Sequence, residues 1–355
     1  MPGNSSSYPE GKGPRFGRSI ALVVLIAWTT AAFASSPVGQ AGGRAAAAEA
    51  SYRWKQVTPK ATFPEAYNYP VHVARGRMWA LHAEGTWSST DGRQWRKEAL
   101  PSARRNVYES QYAFSGDAVY AFGMNEGNYL DMRFRPTIRR SKDLRRWEVL
   151  SERSNLPPRI FYGLAFFGGK FWLTGGYDGK RYHNDVWSSP DGVHWRRVAE
   201  KAEWPPRSGS MLVAFRGRLW LIGGGVIDGD KVIDPRSQHQ IWTSVDGIAW
   251  RKAGEGLPQH SGGTPVVFDG QLWLVGANRD GRFGRASLVT RDGIHWREEA
   301  APWTPRGGAA AWVFDGKLWM TGGKYSITEN GQIRFIYSND VWTMEKVAGR
   351  ASGRR

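Results

Sequence analysis

From residue 71 to residue 345 the chain alternates apolar segments of about five residues with short turns that carry glycine. The stretch "SMLVAFRGRLWLIGG" (210–224) shows the unit: an apolar run, a turn at Arg216-Gly217, and a second apolar run. "QIWTSVDGIAWRKA" (240–253) repeats the form around Asp246-Gly247. Such segments are too short for helices and rich in β-branched and aromatic residues. Joined by two- to four-residue turns, they predict an antiparallel meander of strands.

The unit repeats. Trp54, Trp95, Trp147, Trp195, Trp250 and Trp296 form one ladder with steps of 41 to 55 residues. Trp79, Tyr120, Trp172, Trp220, Trp273 and Trp319 form a second in phase with it. Four strands per repeat of about 50 residues is the signature of a propeller blade. The last repeat, ending in "NDVWTMEKV", stops after three strands, whereas "YRWKQV" near residue 52 is a fourth strand without predecessors. The fold class expected is all-β: a six-bladed β-propeller over residues 51–346 with four-stranded blades, the last closed by the N-terminal strand. Closure leaves no unpaired terminal edge.

The aliphatic run, double glycine and later tryptophan of each unit resemble the kelch repeat. Gly175-Gly176, Gly223-Gly224 and Gly322-Gly323 carry the doublet, while other units keep Gly123 or Gly276, or have His82-Ala83. The resemblance implies a kelch-type propeller similar to the central domain of galactose oxidase. It does not carry over that family's copper-radical chemistry, which needs a cysteine; this chain has none, and no cofactor is expected. The phrase S-x-D-G-x-x-W, as in Ser189/Asp191/Trp195, resembles a shortened Asp box of sialidases. Its recurrence in five units, counting Asp143-Leu144 in the second, reads as architecture: a turn and a packing tryptophan.

Composition adds direction. A net charge of +17 favours anionic partners. Lys12, Arg15 and Arg18 precede an apolar run from Ile20 to Ala34 that ends in Ala-Phe-Ala, the form of a secretory signal over 1–34. Its length falls short of a membrane span, so the expectation is an exported chain, periplasmic or extracellular, with no span after cleavage. Losing Lys12, Arg15, Arg18 and Glu10 with the leader lowers the charge by two, to +15. Residues 35–50 read as an Ala/Gly-rich linker and 347–355 as a basic tail.

Long, dissimilar segments join second to third strands, and meander connectivity puts them on one face with the connections into each first strand. Loops held by a rigid scaffold are where binding resides. Stepping back eight residues from the end of each first strand gives Asn106, Arg159, Arg207, His260 and Arg306, expected to ring one mouth of the central channel. The long loops add His183, Arg236 and Tyr337. Converging guanidiniums bind carboxylate or sulfate bidentately, and aromatic faces suit sugar rings. These residues point to an acidic sugar or anionic polysaccharide. If the chain is catalytic, it would be a mutarotase, epimerase or lyase with His260 as acid/base; the resemblance to periplasmic N-acetylneuraminate epimerases, also six-bladed, implies the same class. The alternative is a non-enzymatic scaffold that binds polysaccharide or a partner protein. Nucleic acid is not expected for an exported chain, and no metal-site motif is present.

Overall fold

The computed structural model describes residues 51–347 except 83, 99–109, 127–131, 229–230, 233–236, 238, 258–262, 277, 280–281 and 331. The leader (1–34), the linker (35–50) and the tail beyond 347 therefore lie outside the described residues.

Six four-stranded antiparallel sheets follow one another along the chain. Blades one to five take their strands in sequence order, from Val71–Ala74 outward in the first and from Thr264–Phe268 outward in the fifth. Blade six uses Ala310–Phe314, Lys317–Thr321 and Val341–Val347, and its outer strand is Ser51–Thr58. The pairing runs from Ser51 opposite Val347 to Thr58 opposite Val341, so the expected seam is present. First strands of successive blades adjoin one another from blade two through blade six and back to blade one. The joint between blades one and two is filled by Trp79, Leu81, Val119 and Leu144, completing the ring.

The turns explain why these strands form. The links between first and second strands are two residues long: Arg75-Gly76, Gly168-Gly169, Arg216-Gly217, Asp269-Gly270 and Asp315-Gly316 have positive φ at both positions. That geometry matches the right-handed twist of paired strands. The third-to-fourth link works differently. In blade four Ser244 pairs with Trp250 across five residues. Ser244 Oγ accepts the N–H groups of Asp246 and Gly247, Asp246 Oδ1 accepts those of Ile248 and Ala249, and the Trp250 indole donates to Gly247 O. Blades one, three and five carry the same serine- or threonine-aspartate pattern.

The phrase also joins blades. The glycine of each turn lies against the second-strand aromatic of the preceding blade: Gly247 on Trp172, Gly293 on Trp220, Gly92 on Trp319 and Gly192 on Tyr120. A Cβ at Gly247 would sit 2.4 Å from the Trp172 ring, with φ at +76°. Blade two puts Leu144 there, at φ 59° and fully buried beside Trp79. Gly217, at φ +69°, has nothing within 4 Å of the same Cβ. Gly217→Ala should therefore cost only the backbone strain, about 1 kcal/mol. Gly247→Ala adds a clash with a packed ring and should cost roughly 2–4 kcal/mol. Urea denaturation of the two variants separates these contributions.

Blade six has no such turn, and the N-terminal strand substitutes for it. Tyr52 packs edge-on against Trp273 at 4.9 Å, donates to Asp269 and accepts from Gln271. Burial and the Asp269 carboxylate push the tyrosine hydroxyl up to about 12, so it stays a donor.

One buried titrating group lies in the joint between blades one and two. His72 is pushed down to about 3 by burial, its Nε2 finds no hydrogen-bond partner, and Tyr112 and Phe114 flank its ring. It is neutral when folded and protonates in the unfolded chain below its ordinary value of about 6.5. Stability should thus be flat above about pH 6.5 and fall by about 1.4 kcal/mol per pH unit below it, down toward pH 3. The turn carboxylates act in a lower window: backbone N–H groups hold Asp246 below the usual carboxylate range, so their contribution is lost only as pH drops below about 4. His72→Phe should flatten the slope between pH 6.5 and 4.5, as read from unfolding midpoints across that range.

Candidate functional site

The expected guanidinium mouth is not what the structure shows. Arg159, Arg207 and Arg306 are each no more than 1% exposed, and their donors are taken up within the blades. Arg159 donates to Gly175 O and Pro157 O and makes a bidentate pair with Asp185 at 2.6 and 3.0 Å. Arg306 does the same with Gly322 O, Thr304 O and Asp340. Arg207 binds Gly223 O, Ser237 O, Pro205 O and the Gln240 amide oxygen. In each case one arginine grips a carbonyl at the first glycine of the doublet, where the long loop begins. It also holds the acidic or amide side chain where the loop ends.

The loop end is fixed from its other side too. The indoles of Trp187, Trp242 and Trp342 donate to Asp185, Gln240 and Asp340. Asn184 and Asn339 donate to carbonyls of the lead-in to the next blade. Burial opposes the charge of Asp185, yet the Arg159 guanidinium, the Trp187 indole and nearby His183 hold its carboxyl below the usual carboxylate range. These arginines are loop clasps, and the expectation that they bind substrate is corrected on that ground: a guanidinium buried and committed to both ends of a loop is out of a ligand's reach.

His260, Asn106 and Arg236 lie outside the described residues. Ser115, which pairs with Ala118, and not Phe114 is the register equivalent of Phe167, which pairs with Lys170, so the eight-residue offset in blade two starts from Ser115. Eight positions before Ser115 the sequence has Val107 rather than Asn106. His183 is half-buried with Nε2 2.8 Å from Asp178 Oδ2, and its carbonyl accepts from the Arg207 backbone N–H. Tyr337 is 37% exposed. Among the described residues the positive charge is not confined to the loop side. Arg75, Arg93, Arg145, Arg216 and Lys317 stand at the tight turns, and some cover joint rings, as Arg145 does over Trp79 at 5.3 Å.

What the loop side does present is rings beside cations. In blade three Tyr177 packs on Tyr182 at 4.8 Å, next to exposed Lys180 and Arg181. In blade six the hairpin Lys324–Glu329 and Gln332–Tyr337 brings Lys324 to Tyr67, with Phe335 and Tyr337 alongside. Between blades two and three, Phe134, Pro136, Pro157 and Pro158 line an open groove of about 570 Å³. Arg135 in that groove is neutralised by Glu126 and Glu152. Among the described residues no group of three His, Asp or Glu side chains could hold a metal ion. Of the rings around Lys324, Tyr337 is among the expected residues; Tyr67 and Phe335 are not, because Tyr67 comes from the far end of the chain and only ring closure brings it there.

Residues 36–345 match the family described as the DUF6242 beta propeller domain. The chain belongs to that family. No curated protein matches it. Among solved structures, one described as "Structure of YjhT" is similar, with a TM-score of 0.58 and 14% identity over 80% of this chain and 96% of that one. A likeness at that identity shows the fold alone. With 490 solved chains matching, architecture by itself does not single out a ligand.

Proposed function

We propose that this DUF6242 propeller recognises an anionic carbohydrate on its variable-loop face, as a binder whose blades are scaffold. The observation that carries the reading is that two separate loops, 175–184 and 324–337, each set stacked or clustered aromatic rings beside a basic side chain. Aromatic faces take the apolar face of a pyranose, and cations between them take its carboxylate or sulfate. The kelch-like doublets fit this division of labour, since the clasped glycines hold loop ends and leave the loop middles to bind. Export is part of the same proposal and rests on the leader sequence of residues 1–34. Epimerase, mutarotase or lyase chemistry would rest on His260, outside the described residues, so recognition without turnover is the reading advanced.

Calorimetric titration of the protein with oligouronates and with neutral oligosaccharides of equal length tests it. Binding of the uronates at 150 mM salt, with little heat from the neutral set, is expected. Equal binding of both sets, or of neither, would overturn the reading. New double bonds appearing by absorbance during the titration would replace a binder with a lyase.

A further inference from the structure

In blade six the second-to-third connection is a regular hairpin. Lys324 pairs with Tyr337, Tyr325 with Ile336 and Ser326 with Phe335. Side chains alternate along a strand, so Lys324, Ser326, Phe335 and Tyr337 share one face of the ribbon. Tyr67, from the segment leading into blade one, joins that face: the Lys324 ammonium lies 4.0 Å from its ring centre and 4.7 Å from that of Phe335. The Tyr67 and Tyr337 rings are 5.7 Å apart and inclined by 34°.

The base of the ribbon is tied from both sides. Gly307 and Lys324 exchange backbone N–H···O bonds, Ala66 N–H donates to Ser338 O, Ser338 to Gly323 O, and Gly323 to Ala66 O. A Cβ on Gly308 would lie 3.1 Å from the Tyr67 ring and 2.4 Å from the Asn68 amide oxygen, so glycine there lets Tyr67 and Asn68 lie against blade six. The platform is thus fixed by backbone, while Phe335 is 45% and Tyr337 37% exposed. Rings kept for packing would be covered, as Trp303 and Trp204 are at 1%. A half-buried ammonium bordered by partly open rings matches one ligand chemistry: a flat apolar face next to a negative charge.

We infer that Tyr67, Lys324, Phe335 and Tyr337 form a subsite for one pyranose ring bearing a carboxylate. The sugar stacks on Phe335 and Tyr337 and its carboxylate meets the Lys324 ammonium. The subsite rests on the anionic-carbohydrate reading of the face and narrows it to one place and one ligand class.

The test uses the full chain and a uronate trisaccharide, with the neutral glucose trisaccharide as comparison, followed by calorimetry. The double variant Phe335→Ala/Tyr337→Ala should weaken uronate binding at least tenfold. Lys324→Met should keep the rings but reduce the preference for uronate over the neutral sugar to within about twofold. Arg93→Ala, exposed at a tight turn of blade one away from the long loops, should leave the trisaccharide affinity within twofold of wild type. Melting temperatures verify that the variants are folded. If both platform variants bind uronate as the wild type does, the subsite falls while the reading of the face stands. If the wild type itself ignores uronates, both fall.

Discussion

A chain lacking Ser51–Thr58 loses its single cooperative unfolding transition. Deletion removes the whole outer strand of blade six and leaves Val341–Val347 as an open edge. It also strips Trp54 from Trp303, which it meets edge-on at 4.2 Å, and Tyr52 from Trp273 and Asp269. Losing one large aromatic from a packed site costs about 3–5 kcal/mol. Losing two, about 6–10 kcal/mol, together with the strand's hydrogen bonds is comparable to the 5–15 kcal/mol by which ordinary domains are stable. Thermal melts followed by near-ultraviolet circular dichroism, with size-exclusion chromatography, should show a broadened transition and association through the exposed edge. Addition of a peptide with the sequence of residues 51–58 should sharpen the melt. A truncated protein that melts as sharply as the parent, within a few degrees, would refute closure by this strand as a source of stability.

The second large effect concerns the clasps. Arg306→Ala should destabilise the fold by about 3–5 kcal/mol, because it leaves Asp340 charged and half-buried and the Gly322 carbonyl without its guanidinium. Arg159→Ala should do the same through Asp185. Replacing both members of the pair with apolar residues of similar size, Arg159→Met with Asp185→Leu, should recover much of the loss, since a buried ion pair gains little over good packing. Denaturant midpoints of the two single variants and the double give the coupling. If Arg306→Ala were as stable as the parent, the arginine could not be a clasp.

Fold and site were legible to different degrees, for a physical reason. The blades could be counted because Trp79, Trp172, Trp220, Trp273 and Trp319 hold one position in one strand, and each is placed by a turn only a few residues away. The seam could be read because a lone fourth strand and a missing fourth strand complement each other. The arginines misled. They recur at a fixed offset from the first-strand turns, and the logic that made the repeated Asp-Gly phrase architectural applied to them as well. Their partners concealed this: Asp185, Gln240 and Asp340 lie beyond loops of unequal length, so no constant spacing ties acid to base. The platform around Lys324 was harder still, because ring closure brings Tyr67 beside a hairpin near the other terminus. Basic residues at the tight turns, such as Arg145 over Trp79, serve the joints between blades.

The clasp also bears on how such a molecule can diversify. Arg159 binds the two ends of an eleven-position stretch, Gly175 to Asp185, while Arg306 binds the ends of a nineteen-position one, Gly322 to Asp340, with the same carbonyl and the same bidentate carboxylate. Whatever lies between those endpoints is relieved of holding the ring of blades together. Insertions, deletions and wholesale exchange inside a clasped interval should be inherited cheaply, so that descendants could retune what they recognise one interval at a time without renegotiating the frame.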